Sequence, residues 1–304
     1  MEISVIIPVY NEEENIIPLC DEITKHLPEK HEIIFVDDGS KDNTFLEIQK
    51  QYLLNKNIKC LCLSRNFGHQ NALMAGLQFA TGDFIITMDG DLQHPPELIP
   101  VMINNLQNGN DIVITSRNKT QNINPLKKIY SSAFYRIINL ISDTRIEPNV
   151  SDFRAFNKKV LNSILLFKER ELFLRGIFSW IGFKTITLPF DAPKRHFGKT
   201  KYSFTKMMRL ALRGITAFSF KPLRLALIIG SIISLLAFGF AVFAFISYYK
   251  GNTVPGWAST IIAIMFLGGT QLLATGLLGE YIASLFVETK NRPLYLVNKK
   301  INID

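Results

Sequence analysis

Residues 84–96 read Phe-Ile-Ile-Thr-Met-Asp-Gly-Asp-Leu-Gln-His-Pro-Pro, a short apolar run that passes straight into two carboxylates one residue apart. The run Phe84–Met88 has the length and composition of a buried strand, so Asp89 and Asp91 fall just beyond its C-terminal end. Two carboxylates at that spacing direct oxygens at a common point. Hard divalent cations such as Mg²⁺ or Mn²⁺ take oxygen ligands and bridge readily to diphosphates. Gly90 between them leaves room for a ligand to approach. A bare Asp-x-Asp arises often by chance and reads equally well as an Asp-Gly turn. The strand before this one and Gln93-His94-Pro95-Pro96 after it set it apart. His94 is expected to pack the loop rather than bind a metal.

The same pattern recurs upstream and downstream. Residues 3–9 and 33–36 are apolar runs, the second ending in Asp37-Asp38-Gly39-Ser40. Residues 59–64 and 112–115 are two more, the latter running into Ser116 and Arg117. Helix-compatible stretches separate them at 15–27, 44–54, 69–80 and 96–108. Strands alternating with helices imply an α/β fold with a mainly parallel, right-handed sheet. Such sheets bind ligands just past the strand C-termini, where these polar residues gather. Asp38 could accept hydrogen bonds from a nucleobase or ribose, and Arg117 is placed to reach a diphosphate. No Gly-rich phosphate loop and no internal repeat is present.

The 304 residues carry 34 Lys+Arg against 26 Asp+Glu, a net charge of +8. Alone, that balance suggests an anionic partner, but much of the positive charge flanks two long apolar runs. Leu225–Tyr249 holds 25 residues without a formal charge, about 37 Å as a helix. Trp257–Gly279 holds 23 more, and Lys250–Gly256 supplies a turn between them. Each exceeds the roughly 20 residues needed to cross a bilayer, so a transmembrane helical hairpin is expected. The connecting loop carries only Lys250, whereas Lys206, Arg209, Arg213, Lys221 and Arg224 precede the first run and Lys290, Arg292, Lys299 and Lys300 follow the second. The positive-inside rule then puts both termini in the cytoplasm, and no nucleic-acid partner is expected. Residues 205–220 and 127–142 alternate cationic and apolar positions at helical spacing, which suits helices lying in the headgroup plane. The chain opens directly on a strand-like run, so no leader peptide is expected. Three cysteines, Cys20, Cys60 and Cys62, argue against a disulfide framework, and the last two read as strand residues.

Taken together, Val5–Glu12, Val36–Ser40, Leu63–Gly68, Met88–Glu97, Ser151–Arg154, Arg195–Ser203 and the C-terminal hairpin resemble glycosyltransferase family 2, in its polyprenyl-phosphate branch. The resemblance covers nearly the whole chain. It implies a GT-A fold, Rossmann-like with helices on both faces of the sheet, across residues 1–204. Interfacial helix, hairpin and cytoplasmic tail would then occupy 205–222, 223–288 and 289–304. It also implies inverting transfer of one sugar from a nucleotide-sugar donor to a polyprenyl phosphate such as undecaprenyl phosphate. Cell-envelope glycan modification at the bacterial inner membrane would be the setting.

Carried over motif by motif, Pro8, Tyr10, Glu12 and Asp38 would hold the nucleotide, with Asp89 at its diphosphate. Asp89 and Asp91, supported by Gln93, would hold Mg²⁺ or Mn²⁺, and Arg117 would neutralise phosphate charge. Arg195, Lys201 and Tyr202 would receive the lipid phosphate, and Asp152 would lie by the reacting centre, as base or orienting group. UDP-glucose is the favoured donor, and a homotetramer is the expected assembly. A processive polysaccharide synthase would share the early motifs, but the Gln-x-x-Arg-Trp segment of such enzymes is absent: Arg175 is followed by Gly176. A non-catalytic sugar-nucleotide-binding partner predicts broken motifs, whereas all are intact. A nucleotidyltransferase leaves the basic segment before the hairpin unexplained.

Overall fold

The computed structural model describes residues 2–118, 150–170, 173–191, 221–250 and 256–303. In chain order these form β1 (Ile3–Val9), α1 (Ile16–His26), β2 (His31–Asp37), α2 (Thr44–Leu54), β3 (Ile58–Leu63), α3 (His69–Gln78), β4 (Phe84–Thr87), a 3₁₀ turn at Pro96–Leu98 and α4 (Ile99–Gln107). There follow β5 (Ile112–Arg117), β6 (Val150–Asn157), α5 (Lys158–Ile164), α6 (Leu174–Trp180), β7 (Thr185–Phe190), α7 (Lys221–Tyr249), α8 (Trp257–Thr289) and β8 (Val297–Ile301).

The strands make one sheet in the order β7-β5-β6-β4-β1-β2-β3-β8. β1 pairs in parallel with β2 and β4, β2 with β3, and β5 with β7, whereas β6 runs antiparallel to both β4 and β5. The central strands β1, β2 and β4 are buried on both faces, as continuous apolar strands require. Ile3, Val5, Ile7 and Val9 of β1 face α1, α2 and α4 in one core. Ile6, Ile34 and Val36 face α3, α5 and α6 in the other. Helix α3 lies so close to β1 that a Cβ on Gly76 would stand 2.3 Å from Ile6 Cγ2. The five predicted strands and four predicted helices are all present within a few residues of their expected ends, and Cys60 and Cys62 lie in β3 as read.

The sequence predicts a tail after residue 288, and here the structure differs. Residues Val297–Ile301 form β8, antiparallel to β3, with Cys60 opposite Ile301 and Cys62 opposite Lys299. Ser64 N–H donates to Leu296 O at 2.9 Å, and the Asn302 amide reaches Lys56 O at 2.8 Å. The chain therefore leaves the sheet through two long helices and returns to close its edge.

Helices α7 and α8 follow the two apolar runs, with α8 continuing past Glu280 to Thr289. Among the described residues, Phe266–Thr289 is long and apolar enough to cross a membrane, and Ala226–Phe240 is a shorter apolar stretch. The predicted interfacial stretches at 127–142 and 205–220 lie outside the described residues.

Candidate active site

The parallel strands β1, β2, β4 and β5 all end at one edge of the sheet, and their following loops meet there. Because β6 runs the other way between β4 and β5, its first residues reach the same edge. Thr87 Oγ1 donates to Asp152 O at 2.7 Å and Thr115 Oγ1 to Phe153 O at 2.8 Å, fixing β6 from either side.

The loops after β1 and β2 interlock. Asn11, at φ 54°, donates its N–H to Ser40 Oγ at 2.9 Å and accepts from Lys41 N–H at 2.8 Å. Glu12 N–H donates to Thr44 Oγ1 at 2.9 Å, and its carboxylate takes the Asn15 amide at 2.6 Å. Pro8 is buried in β1 opposite Val36, and Tyr10 follows at the half-buried rim. Asp38 is buried, and its two oxygens accept from Phe67 N–H at 2.7 Å and Gly68 N–H at 2.9 Å. Burial pushes its pKa up against the pull of those two N–H groups. Asp38 thus seats the β3–α3 loop. That loop presses against Gly39, where φ is +69° and a Cβ would meet the Arg65 backbone at 2.5 Å.

In the Asp-Gly-Asp loop the role expected for Gly90 changes. A Cβ there would stand 2.7 Å from Val9 Cγ1, so the missing side chain accommodates β1 rather than a ligand. Asp89 N–H donates to His94 Nδ1 at 2.9 Å, and His94 Nε2 lies 2.6 Å from Ser151 Oγ. The accepting Nδ1 requires the proton on Nε2. Burial lowers the pKa of His94, and the ring stacks on Phe153 at 5.2 Å. With both nitrogens engaged, His94 packs the loop as predicted. Gln93 N–H donates to Asp91 Oδ1 at 3.2 Å and Gln93 Oε1 accepts from Arg117 Nη2 at 3.3 Å, so Gln93 braces Asp91 and Arg117 together.

Asp152 sits beside this loop. Arg175 donates to it from Nε at 2.9 Å and from Nη2 at 2.8 Å, while Arg154 Nη2 stands 3.5 Å away. His69 Nε2 lies 3.6 Å from Asp152 Oδ2 and 3.6 Å from Asp89 Oδ1, linking the two carboxylates. Burial raises the Asp152 pKa, but the His69 contact and the charges of Arg175 and Arg154 outweigh it and hold the group well below the usual carboxylate range. His69 shifts upward: burial opposes its charged form, but Asp152 and Asp89 overcome it.

Asp89, Asp91, Gln93, Arg117 and Asp152 thus share one edge of the sheet. Arg195, Lys201 and Tyr202 lie outside the described residues. His69, Arg154 and Arg175 have no site role in the sequence motifs, although Arg154 closes the Ser151–Arg154 stretch. His69 opens a helix immediately after the Leu63–Gly68 motif, which is a signal of sorts. Arg175 carries none, since only tertiary folding brings α6 to this edge.

Among the described residues, no three His, Cys, Asp or Glu side chains are arranged to hold a metal by themselves. Mg²⁺ in phosphate-handling sites uses one or two carboxylates plus substrate oxygens. Asp89, partly exposed, and Asp91 offer that donor set. The residues present fit a divalent cation shared with a diphosphate.

Comparison with known proteins identifies relatives of this chain. The Glycosyl transferase family 2 model matches residues 4–165. The prophage bactoprenol glucosyl transferase homolog of Escherichia coli K12 is 40% identical over 304 residues, covering 98% of this chain and 99% of the relative. The bactoprenol glucosyl transferase of Shigella phage SfII is 40% identical, covering 98% of each. Among solved structures, S. aureus TarS 1–349 in complex with UDP-GlcNAc shares the fold, with TM-score 0.50 and 20% identity over 71% of this chain and 66% of that one.

Proposed function

The chain belongs to glycosyl transferase family 2, and from that membership we propose that it transfers a single sugar from a nucleotide-sugar donor to a polyprenyl phosphate, giving the polyprenyl-phosphate sugar. The observation that carries this reading is the bracing of both Asp91 and Arg117 by Gln93 at the sheet edge, in a chain whose relatives named for bactoprenol match it from end to end. UDP-glucose is the proposed donor.

The chain's residues divide the work. Pro8, Tyr10, Glu12 and Asp38 frame the nucleotide cleft, with Asp38 acting through the β3–α3 loop it holds. Asp89 and Asp91, braced by Gln93, would hold Mg²⁺ or Mn²⁺ at the donor diphosphate. A divalent cation bound there stabilises negative charge building on the leaving nucleoside diphosphate. Arg117 adds a fixed positive charge at the same place. A phosphate monoester, with a second pKa of about 6, is largely dianionic at neutral pH. Its oxygen attacks the anomeric carbon from the face opposite the diphosphate. The new C–O bond forms as the bond to the diphosphate oxygen breaks, the electron pair leaves with the nucleoside diphosphate, and configuration inverts. Arg195, Lys201 and Tyr202 are the proposed acceptor-phosphate contacts.

The proposed setting is the inner face of a bacterial membrane, with α7 and α8 as a hairpin. The return of the chain to β8 supports it, because both ends of the helix pair then attach to one sheet. The test is a donor panel. Purified full-length protein, a short-chain undecaprenyl phosphate analogue and Mg²⁺ or Mn²⁺ are incubated with radiolabelled nucleotide sugars, alongside Asp91→Ala and no-lipid controls. One sugar per lipid, lost in both controls, is the expected result. Donor hydrolysis or polymer without monoglycosylated lipid would refute it.

A further inference from the structure

Asp152 is gripped on both oxygens, and the exposure of its partners decides which of them faces the site. Arg154 is 3% exposed; it donates Nε to Ser151 O at 3.1 Å, and its guanidinium lies 4.6 Å from the centre of the Phe178 ring. Asp152 itself is 13% exposed. Arg175 is 40% exposed, although two of its five N–H groups are fixed in a bidentate fork on that carboxylate. Its place in the fold is set from the side as well. Leu174 N–H, one residue earlier, donates to Gln70 Oε1 at 3.1 Å, and Gln70 follows His69 in α3.

Asp152 meets two guanidiniums, Arg175 and Arg154, and His69 bridges it to Asp89. A pre-oriented, part-exposed guanidinium is the arrangement that recognises phosphate oxygens. We propose that Arg175 is a ligand for a substrate phosphate group, and that Asp152 anchors its guanidinium instead of taking a proton. This deepens the transferase reading and rests on it. The strongly lowered pKa of Asp152 supports the anchoring role, since such a carboxylate is a poor base. A dianionic phosphate nucleophile has no proton to lose. The phosphate belongs to the donor diphosphate or to the lipid acceptor, and the chemistry of recognition is common to both.

The experiment measures equilibrium binding of two probes, UDP with Mg²⁺ and radiolabelled farnesyl phosphate. Full-length wild type is compared with Arg175→Ala, Arg175→Lys and Asp152→Asn, each with its melting temperature. Arg175→Ala is expected to weaken one probe tenfold or more while sparing the other, with Arg175→Lys recovering part of the loss. A UDP deficit assigns the donor diphosphate, and a farnesyl phosphate deficit assigns the acceptor. Asp152→Asn is expected to weaken the same probe by a smaller factor and to leave the shape of the pH–rate profile unchanged. Unchanged affinities in Arg175→Ala overturn the proposal, as does an equal loss of both probes with a lowered melting temperature. Abolished turnover in Asp152→Asn with wild-type affinities also overturns it, returning proton transfer to Asp152. Should Arg175→Ala fail to fold, Arg175→Lys carries the comparison, with a preserved fold and an unchanged pair of affinities counting against the assignment. Wild type that binds both probes yet transfers no sugar refutes the transferase reading alone, because the binding arms still report on Arg175.

Discussion

Asp89 donates its backbone N–H to Nδ1 of His94 at 2.9 Å, so the first acidic residue of the Asp-Gly-Asp loop is held by an imidazole with both nitrogens engaged. The far nitrogen of the same ring meets Ser151, next to Asp152. One buried ring therefore ties the loop after β4 to the start of β6. Replacing His94 with Ala removes the stacking on Phe153 and leaves the part-buried Asp89 N–H without its acceptor, a cost of about 2–4 kcal/mol. His94→Phe keeps an aromatic ring against Phe153 but loses both the Nδ1 acceptor and the Nε2–H donor to Ser151, so it is expected to cost less stability than Ala while still weakening Mg²⁺-dependent UDP binding. Denaturant melts paired with UDP titrations separate the two effects.

Gly90→Ala is expected to destabilise by about 1–3 kcal/mol, the cost of overpacking a tight contact, because its Cβ would stand 2.7 Å from Val9 Cγ1. Val9→Ala should rescue it. A double-mutant cycle measures the coupling; purely additive losses would show that the contact is not the cause.

Glu32 controls acid stability far from the active site. Burial raises its pKa, but Lys59 at 2.6 Å, Ser4 and Thr81 outweigh it and leave the group below its ordinary value. Stability rises with pH wherever the unfolded chain holds more protons. The Glu32 contribution is therefore complete above the unfolded value of about 4.3, and it is lost as pH falls through the lower folded value. Glu32→Gln should flatten the acid limb of the stability curve, and Lys59→Met should cost about 2 kcal/mol at pH 7. Urea melts across pH 3–7 check both.

Removing residues 292–303 uncovers the β3 edge. Hydrogen exchange at Cys60–Leu63 is expected to rise to that of an unpaired edge strand, and the truncated protein should associate through that edge. Protection unchanged from wild type would show that β8 contributes nothing to the sheet.

β1–β5, which run parallel, were legible because they carry their own signals: apolar runs, most of them passing into Asp or Arg. β6, β7 and β8 were not. β6 opens with Val150-Ser151-Asp152, of which Ser151-Asp152 reads as a motif and not as a strand, and β8 contains Asn298, Lys299 and Lys300, typical of a solvated tail. An edge strand has one unpaired side, so polar residues are tolerated there and the pattern fades. The site followed the same division. Asp89, Asp91 and Arg117 could be read from strand ends, whereas Arg175 reaches Asp152 across 23 residues through packing of α6 that no spacing encodes. Asp38 was placed correctly at the edge, but its hydrogen bonds to Phe67 and Gly68 depend on a loop from another unit of the chain.

β3 is built before α7 and α8 in the order of synthesis, and β8 after them. While the ribosome is still making the two long helices, the β3 edge has no partner. Domains begin to fold as they emerge, but this sheet must wait for its last strand. Closure of the β3 edge therefore follows synthesis of both apolar helices. A nascent chain halted before residue 297 would carry its acidic loop and its arginines without the closing strand, so the finished sheet arises only in a chain that has already produced its apolar helices.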